Sequence, residues 1–132
     1  MTDDPRDVVL RLFQALNDHD LERYAGLLAE DVEERHPYHL TGRDAVTAGD
    51  RATLELIPDH WRKIERLLVD GDHVAFWLRF GGTIADTGKG FEVEICGIVT
   101  VRDGKIATWD FYTDKPPMAQ AMEGGEASSE VS

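Results

Sequence analysis

Val99-Thr-Val-Arg-Asp-Gly-Lys-Ile-Ala-Thr-Trp-Asp-Phe-Tyr-Thr-Asp114 sets two β-rich runs about an Asp103-Gly104 turn. An Asp-Gly pair between alternating apolar residues is the strongest short-range mark of a hairpin. The second run is aromatic and ends in a carboxylate. With Trp109, Phe111 and Tyr112 close by in the chain, partial desolvation of Asp114 would raise its pKa toward the range useful for proton transfer at neutral pH. The stretch therefore predicts a strand pair with a candidate acid/base at its end.

Before this hairpin come two more β-type runs, Val74 to Ile84 and His60 to Val69, while Phe91 to Arg102 is the full extent of the run that enters the hairpin. Asp70-Gly71-Asp72 and Asp86 to Gly90 punctuate them. Four sequential runs joined by short turns imply an antiparallel meander. In the third run Phe91, Val93, Ile95, Gly97, Val99 and Val101 share one face, and Glu92, Glu94, Cys96, Ile98, Thr100 and Arg102 the other.

The first part of the chain reads as helical. Asp4-Pro5 suits an N-cap followed by N1, and Val8, Val9, Leu12, Phe13 and Leu16 fall on one helical face. Asp20 caps a second helix with Leu21, Tyr24, Leu27 and Leu28 as its buried stripe, closing near Ala29 or Glu30. Val32 to His36 is a short strand stopped by Pro37, which leaves His36 and Tyr38 where strand gives way to loop. Gly42 to Ile57 predicts a third helix whose small face, Ala45, Ala48, Gly49, Ala52 and Leu56, packs against the sheet, with Pro58 ending it.

Length and charge limit the functions available. A chain of 132 residues makes one domain with a core and a modest cavity. We assign residues 1–115 to that domain and 116–132 to a flexible tail, because the last eighteen residues hold two prolines, two glycines and three serines with almost no aromatic or β-branched residues. Twenty-six acidic against fourteen basic side chains give a net charge of −12, which argues against nucleic acid and membrane partners. The lone Cys96 and a start without positive and apolar signal regions point to the cytoplasm.

The order of elements, together with Ala29-Glu30-Asp31-Val32, His36-Pro37, Thr41-Gly42-Arg43-Asp44-Ala45, Pro58-Asp59, Asp70-Gly71-Asp72-His73-Val74 and Asp103-Gly104-Lys105-Ile106 with Trp109 and Asp114, resembles the SnoaL-like polyketide cyclase branch of the nuclear transport factor 2-like superfamily over about residues 5 to 115. The resemblance implies an α+β fold: a cone of three N-terminal helices packed on a curved, mainly antiparallel β-sheet. It also implies that Asp114 matches the aspartate that serves these cyclases as acid/base. The positions that ketosteroid isomerases fill with a base, a tyrosine and a protonated aspartic acid resemble His36, Leu12 and Gly97 here. Without either oxyanion donor, steroid isomerisation is excluded. The Arg-x-Asp pair of limonene-epoxide-hydrolase-like members is met only by Arg79-Phe80-Gly81, which lacks the second aspartate.

The candidate catalytic residues are thus Asp114 and His36, whose imidazole has an ordinary pKa near the working range. Candidate substrate-binding residues are Tyr38, Trp61, Trp77, Arg79, Trp109 and Phe111. The isomerase comparison places Trp77 and Arg79 inside, where an arginine would hold a ligand carboxylate or enolate oxygen. Strict alternation puts Asp110, Tyr112 and Asp114 on one face and Trp109 on the other. No metal or cofactor motif occurs: His19, His36, His39, His60 and His73 form no His-x3-His pair, and there is no P-loop or dinucleotide fingerprint. Two functions fit. One is a small cofactor-independent lyase or isomerase acting on a hydrophobic carbonyl compound; the other is a non-catalytic ligand-binding or scaffold protein. In either, the mixed outer face carrying Cys96, Ile98 and Thr100 suits a homodimer.

Overall fold

A computed structural model describes residues 4–36 and 39–113. Helix α1 (Pro5–Asn17) starts where expected, with the Asp4 carboxylate accepting from the Arg6 N–H at 3.1 Å and Pro5 in the first turn. Val8, Val9, Leu12, Phe13 and Leu16 form its buried stripe. Helix α2 (Leu21–Gly26) is shorter than the periodicity predicts. It ends because Gly26 is a poor helix former and the next residues gain more from pairing: the Leu27 carbonyl accepts from the Ile106 N–H at 2.9 Å. Strand β1 (Leu28–His36) therefore begins four residues before the expected Val32.

A two-residue strand β2 (Leu40–Thr41) follows, then α3 (Arg43–Leu56). Gly42 caps α3 with φ 99°, a conformation that favours glycine. The face that α3 turns inward is not the predicted small-residue stripe. Ala45, Ala48 and Ala52 are exposed, whereas Val46 and Thr47 are buried and Asp50 is half-buried. The β-branched side chains fill the groove over β1, and the alanines are left to water.

Strands β3 (Trp61–Asp70), β4 (His73–Thr83), β5 (Gly90–Arg102) and β6 (Lys105–Thr113) lie within a residue or two of the predicted runs. The six strands form one curved, unclosed mixed sheet in the order β2-β1-β6-β5-β4-β3. All neighbours are antiparallel except β1 and β6, which run parallel. That one parallel pairing sets Glu34 directly beside Trp109, its Cα partner.

Helix α1 lies across β3 to β6, and α3 lies against β1 and β2. Between helices and sheet sits the core, where Phe13 meets Phe76 edge-on at 5.2 Å and Trp109 at 6.1 Å. The predicted alternation of β5 holds: Val93, Ile95, Val99 and Val101 are buried and Glu92, Glu94, Cys96 and Ile98 exposed. At Gly97 a Cβ would stand 2.6 Å from Phe76 Cζ and 2.4 Å from the Asp110 carbonyl oxygen. No carboxylic acid could occupy that position without displacing this packing. Among the described residues no helix is long and apolar enough to cross a membrane.

Candidate acid–base site

The helix side of the sheet holds a group of polar side chains drawn from four elements. Tyr24 of α2 is wholly buried, and its hydroxyl donates to Asp50 Oδ2 on α3. Burial and the neighbouring Asp50 carboxylate push the phenol well above its ordinary pKa, so Tyr24 stays neutral and acts as a donor. Burial also pushes Asp50 upward, opposed by the Arg62 charge and by the Tyr24 hydrogen bond.

Arg62 enters from β3, with its guanidinium 4.6 Å from the centroid of the Phe80 ring and Nη1 3.2 Å from His60 Nδ1. An arginine can only donate, so Nδ1 accepts and the His60 proton is assigned to Nε2. Burial first, then the charge of Arg62, lowers the His60 pKa to about 4. The His60 ring also lies 4.6 Å from that of His19, whose Nε2 is 2.9 Å from the His60 carbonyl oxygen. His60 is consequently a neutral, fixed ring at pH 7 rather than a proton carrier.

Glu34 of β1 completes the group. It is 8% exposed, and its carboxylate makes no hydrogen bond or ion pair with another described residue. Burial, and secondarily the Asp50 charge, raise its pKa to about 7. A carboxyl poised at neutral pH exchanges protons in both directions, which is what a general acid/base requires. Beside it, the Trp109 Nε1 is buried without an acceptor, as are Thr47 Oγ1 on α3 and Thr113 Oγ1 on β6. Unspent buried donors and acceptors are uncommon in folded proteins because each costs about 1–3 kcal/mol. Of these three, the Trp109 Nε1 belongs to the direct ladder neighbour of Glu34.

The residues expected from sequence divide between the two sides of the sheet. Trp109 is in the core, and Phe111 packs partly buried against it with ring centroids 6.3 Å apart. Trp77 and Arg79, expected inside, are on the outer face, because Phe76, Leu78 and Phe80 take the inward positions of β4. Arg79 is held there by Glu65 at 3.1 Å and Glu92 at 2.7 Å, so it is not free to hold a ligand carboxylate. His36, expected to face the cavity, is exposed and stacks on Tyr112 at 4.2 Å. A register shift between Glu34 and His36 breaks the alternation of β1, leaving Arg35 and His36 both outward. Trp61 lies partly exposed over Gly81, where a Cβ would be 2.6 Å from its ring. Asp114 and Tyr38 fall outside the described residues. Sequence reasoning missed Glu34, Asp50 and Arg62. The alternation Val32, Glu34 against Glu33, Arg35 was the available signal for Glu34, and none existed for the meeting of Asp50 with Tyr24.

Comparison with known proteins bears on what this interior is for. Residues 9–109 match the family model of the SnoaL-like domain. The chain belongs to this family. The SnoaL-like chain is similar in structure to wild-type IdmH of Streptomyces antibioticus, a polyketide-cyclase candidate, at 25% identity and a TM-score of 0.78, over 91% of this chain and 99% of that one. A nuclear transport factor 2-like protein from Burkholderia thailandensis shares 28% identity with a TM-score of 0.79, covering 89% and 96% of the two chains. A protein of ketosteroid isomerase-like fold from Catenulispora acidiphila, 21% identical with a TM-score of 0.78 over 87% of this chain and 92% of that one, shows the fold alone. No curated protein matches the sequence. The SnoaL-like fold is a small-ligand-binding fold. Family membership supports an enzyme-like role, and the particular chemistry must be argued from the site.

Proposed function

We propose that this SnoaL-like protein is a cofactor-independent lyase or isomerase that moves protons on a hydrophobic carbonyl compound bound between the helices and the sheet. The observation that carries this reading is Glu34: a buried carboxyl with no partner among the described residues, facing an interior whose other charges are already committed. Its pKa of about 7 lets it take a proton from carbon next to a carbonyl and return it elsewhere. Tyr24, Asp50 and Arg62 are positioning residues here. Asp50, tied to Tyr24 and attracted by Arg62, supplies the negative field that helps keep Glu34 from ionising early. Asp114, the acid/base implied by family resemblance, is the second reading.

Exchange of the α-protons of 1-tetralone in deuterated buffer, followed by NMR, tests both. Wild type should accelerate exchange with a rise through about pH 7, and Glu34→Gln should lose roughly a hundredfold or more of that acceleration. Exchange at the buffer rate in wild type would favour a binding protein over an enzyme. Loss in Asp114→Asn but not in Glu34→Gln would move the chemistry to Asp114. We further propose a cytoplasmic homodimer joined through the outer sheet face, where Leu68, Trp77, Ile98 and Tyr112 are all exposed on neighbouring strands.

A further inference from the structure

We propose that Trp109 is a catalytic residue: its indole N–H binds the carbonyl oxygen of the ligand and stabilises the enolate formed when Glu34 removes the adjacent proton. The inference rests on the acid/base reading of Glu34 and adds the electrophilic half of the site.

Three observations converge on it. Trp109 and Glu34 are Cα partners across the parallel β1–β6 ladder, so their side chains emerge side by side. Both turn to the helix side and both are more than nine-tenths buried. The Trp109 Nε1 has no acceptor although it is fully enclosed. An indole nitrogen can only donate, so this group stays unsatisfied until an oxygen atom reaches it. The surroundings fix the ring rather than let it turn away. Phe13 meets it edge-on at 6.1 Å, Tyr24 lies at 6.2 Å and Phe111 at 6.3 Å. A donor held in place in a water-poor interior costs no reorganisation when charge develops on the oxygen.

The other polar groups of this interior are less suited to the role. The Tyr24 hydroxyl is spent on Asp50, and Arg62 is turned toward His60 and the Phe80 face. Asp50 is an acceptor when ionised. In the proposed step the electron pair of the broken C–H bond forms the carbon–carbon double bond of the enolate, the carbonyl π pair moves onto the oxygen, and the proton passes to the Glu34 carboxylate. The oxygen accepts the Trp109 N–H, and Glu34 then returns the proton to a carbon of the enolate. Nothing is oxidised or reduced. The ligand class that fits is an enolisable, flat and largely apolar carbonyl compound, whose oxygen lies at Trp109 and whose acidic carbon lies at Glu34.

The chain has three tryptophans, and Trp61→Phe and Trp77→Phe, both at partly exposed positions, assign the Trp109 indole N–H signal by elimination without disturbing the core. The probe is pentafluorophenol, ionised at pH 7.5 and so an enolate analogue, with hexafluorobenzene as the control lacking oxygen. Binding is followed in Glu34→Gln, which presents a neutral group as the protonated glutamate would. The Trp109 indole proton should move downfield with the phenolate and not with hexafluorobenzene. Trp109→Phe should weaken phenolate binding roughly tenfold or more while leaving hexafluorobenzene binding in place. An indole signal that stays put up to the solubility limit of the phenolate, or moves equally with hexafluorobenzene, overturns the proposal. The Glu34 side-chain carboxyl carbon, titrated by NMR in wild type, tests the acid/base reading separately: a midpoint near that of a free glutamate would remove it even if Trp109 responds.

Discussion

The two faces of the sheet treat charge in opposite ways. On the outer face, charges meet partners: Arg35 holds Asp110, with Nε at 3.2 Å from Oδ1, Arg79 lies between Glu65 and Glu92, and Arg102 reaches Asp31 at 2.8 Å. On the inner face, Glu34 has no partner among the described residues, Trp109 Nε1 has no acceptor, and His60 is kept neutral. Exposed pairs cost little to make and little to lose, because water solvates them either way. Unpartnered buried groups are costly, and their persistence in one interior marks the place where the fold gives up stability to keep groups available. The difference identifies the side of the sheet on which chemistry belongs.

The largest expected effect follows from Glu34. Its folded pKa of about 7 lies above the ordinary 4.5, so between these values the folded protein binds more protons than the unfolded chain. Stability supplied by the protonated form is then complete below about pH 4.5 and is lost as pH rises through about 7. Glu34→Gln removes that loss. The variant should be more stable than wild type at pH 8 by about 1–3 kcal/mol once solvent screening is allowed for, with the gain shrinking toward pH 4.5. Urea denaturation at the two pH values measures it. A gain that does not depend on pH would mean that Glu34 is not held neutral by its surroundings, and the contrast between the faces would lose its strongest member.

How far this contrast was legible in the sequence depends on the range of the interactions involved. Strand periodicity and turn chemistry are local, and the meander β3 to β6 matches its predicted runs closely, as does the stripe of α1. The parallel pairing of β1 with β6 joins Leu28 to Ile106 and Glu34 to Trp109, and no local pattern carries such a long-range register. The break in alternation that turns His36 outward is likewise set by that pairing. Helix α3 misled for a different reason. Its alanines and Gly49 suggested close packing, but the groove was filled by Val46 and Thr47, and the same rotation brought Asp50 to Tyr24. Tyr24 itself was predicted to be buried, but nothing in the sequence showed that its hydroxyl would meet a carboxylate 26 residues away.

A smaller effect is expected from that meeting. Tyr24→Phe keeps the ring against Trp109 and removes only the hydroxyl that donates to Asp50. A carboxylate left without its donor in a largely enclosed setting costs about 1–3 kcal/mol. The loss should be partly relieved at low pH, because the Tyr24 hydrogen bond holds the Asp50 pKa down and its removal lets Asp50 protonate more readily. Denaturation of Tyr24→Phe at pH 7.5 and pH 5 checks the magnitude and the direction. Equal stability to wild type at both would show that the pair contributes nothing, and that Asp50 is as well solvated as the carboxylates of the outer face.

The smallest effect is expected from Arg79→Met, and it is the most direct challenge to the division between faces. Arg79 was a candidate ligand-binding residue on sequence grounds, and it carries two carboxylate contacts, which is more than any inner-face cation makes among the described residues. Its side chain is 45% exposed. Both contacts are therefore open to water and to salt, and their removal should leave the thermal midpoint within experimental scatter, with any difference vanishing at high ionic strength. The stem of Arg79 lies beside Lys63 and Glu94 in the ladder, so methionine preserves its contact area while deleting the charge. Exchange of 1-tetralone should be unchanged. If Arg79→Met instead slows exchange while Glu34→Gln does not, then ligand reaches the outer face, paired charges there would be working groups, and the unspent atoms beside Trp109 would be a defect of packing rather than a site.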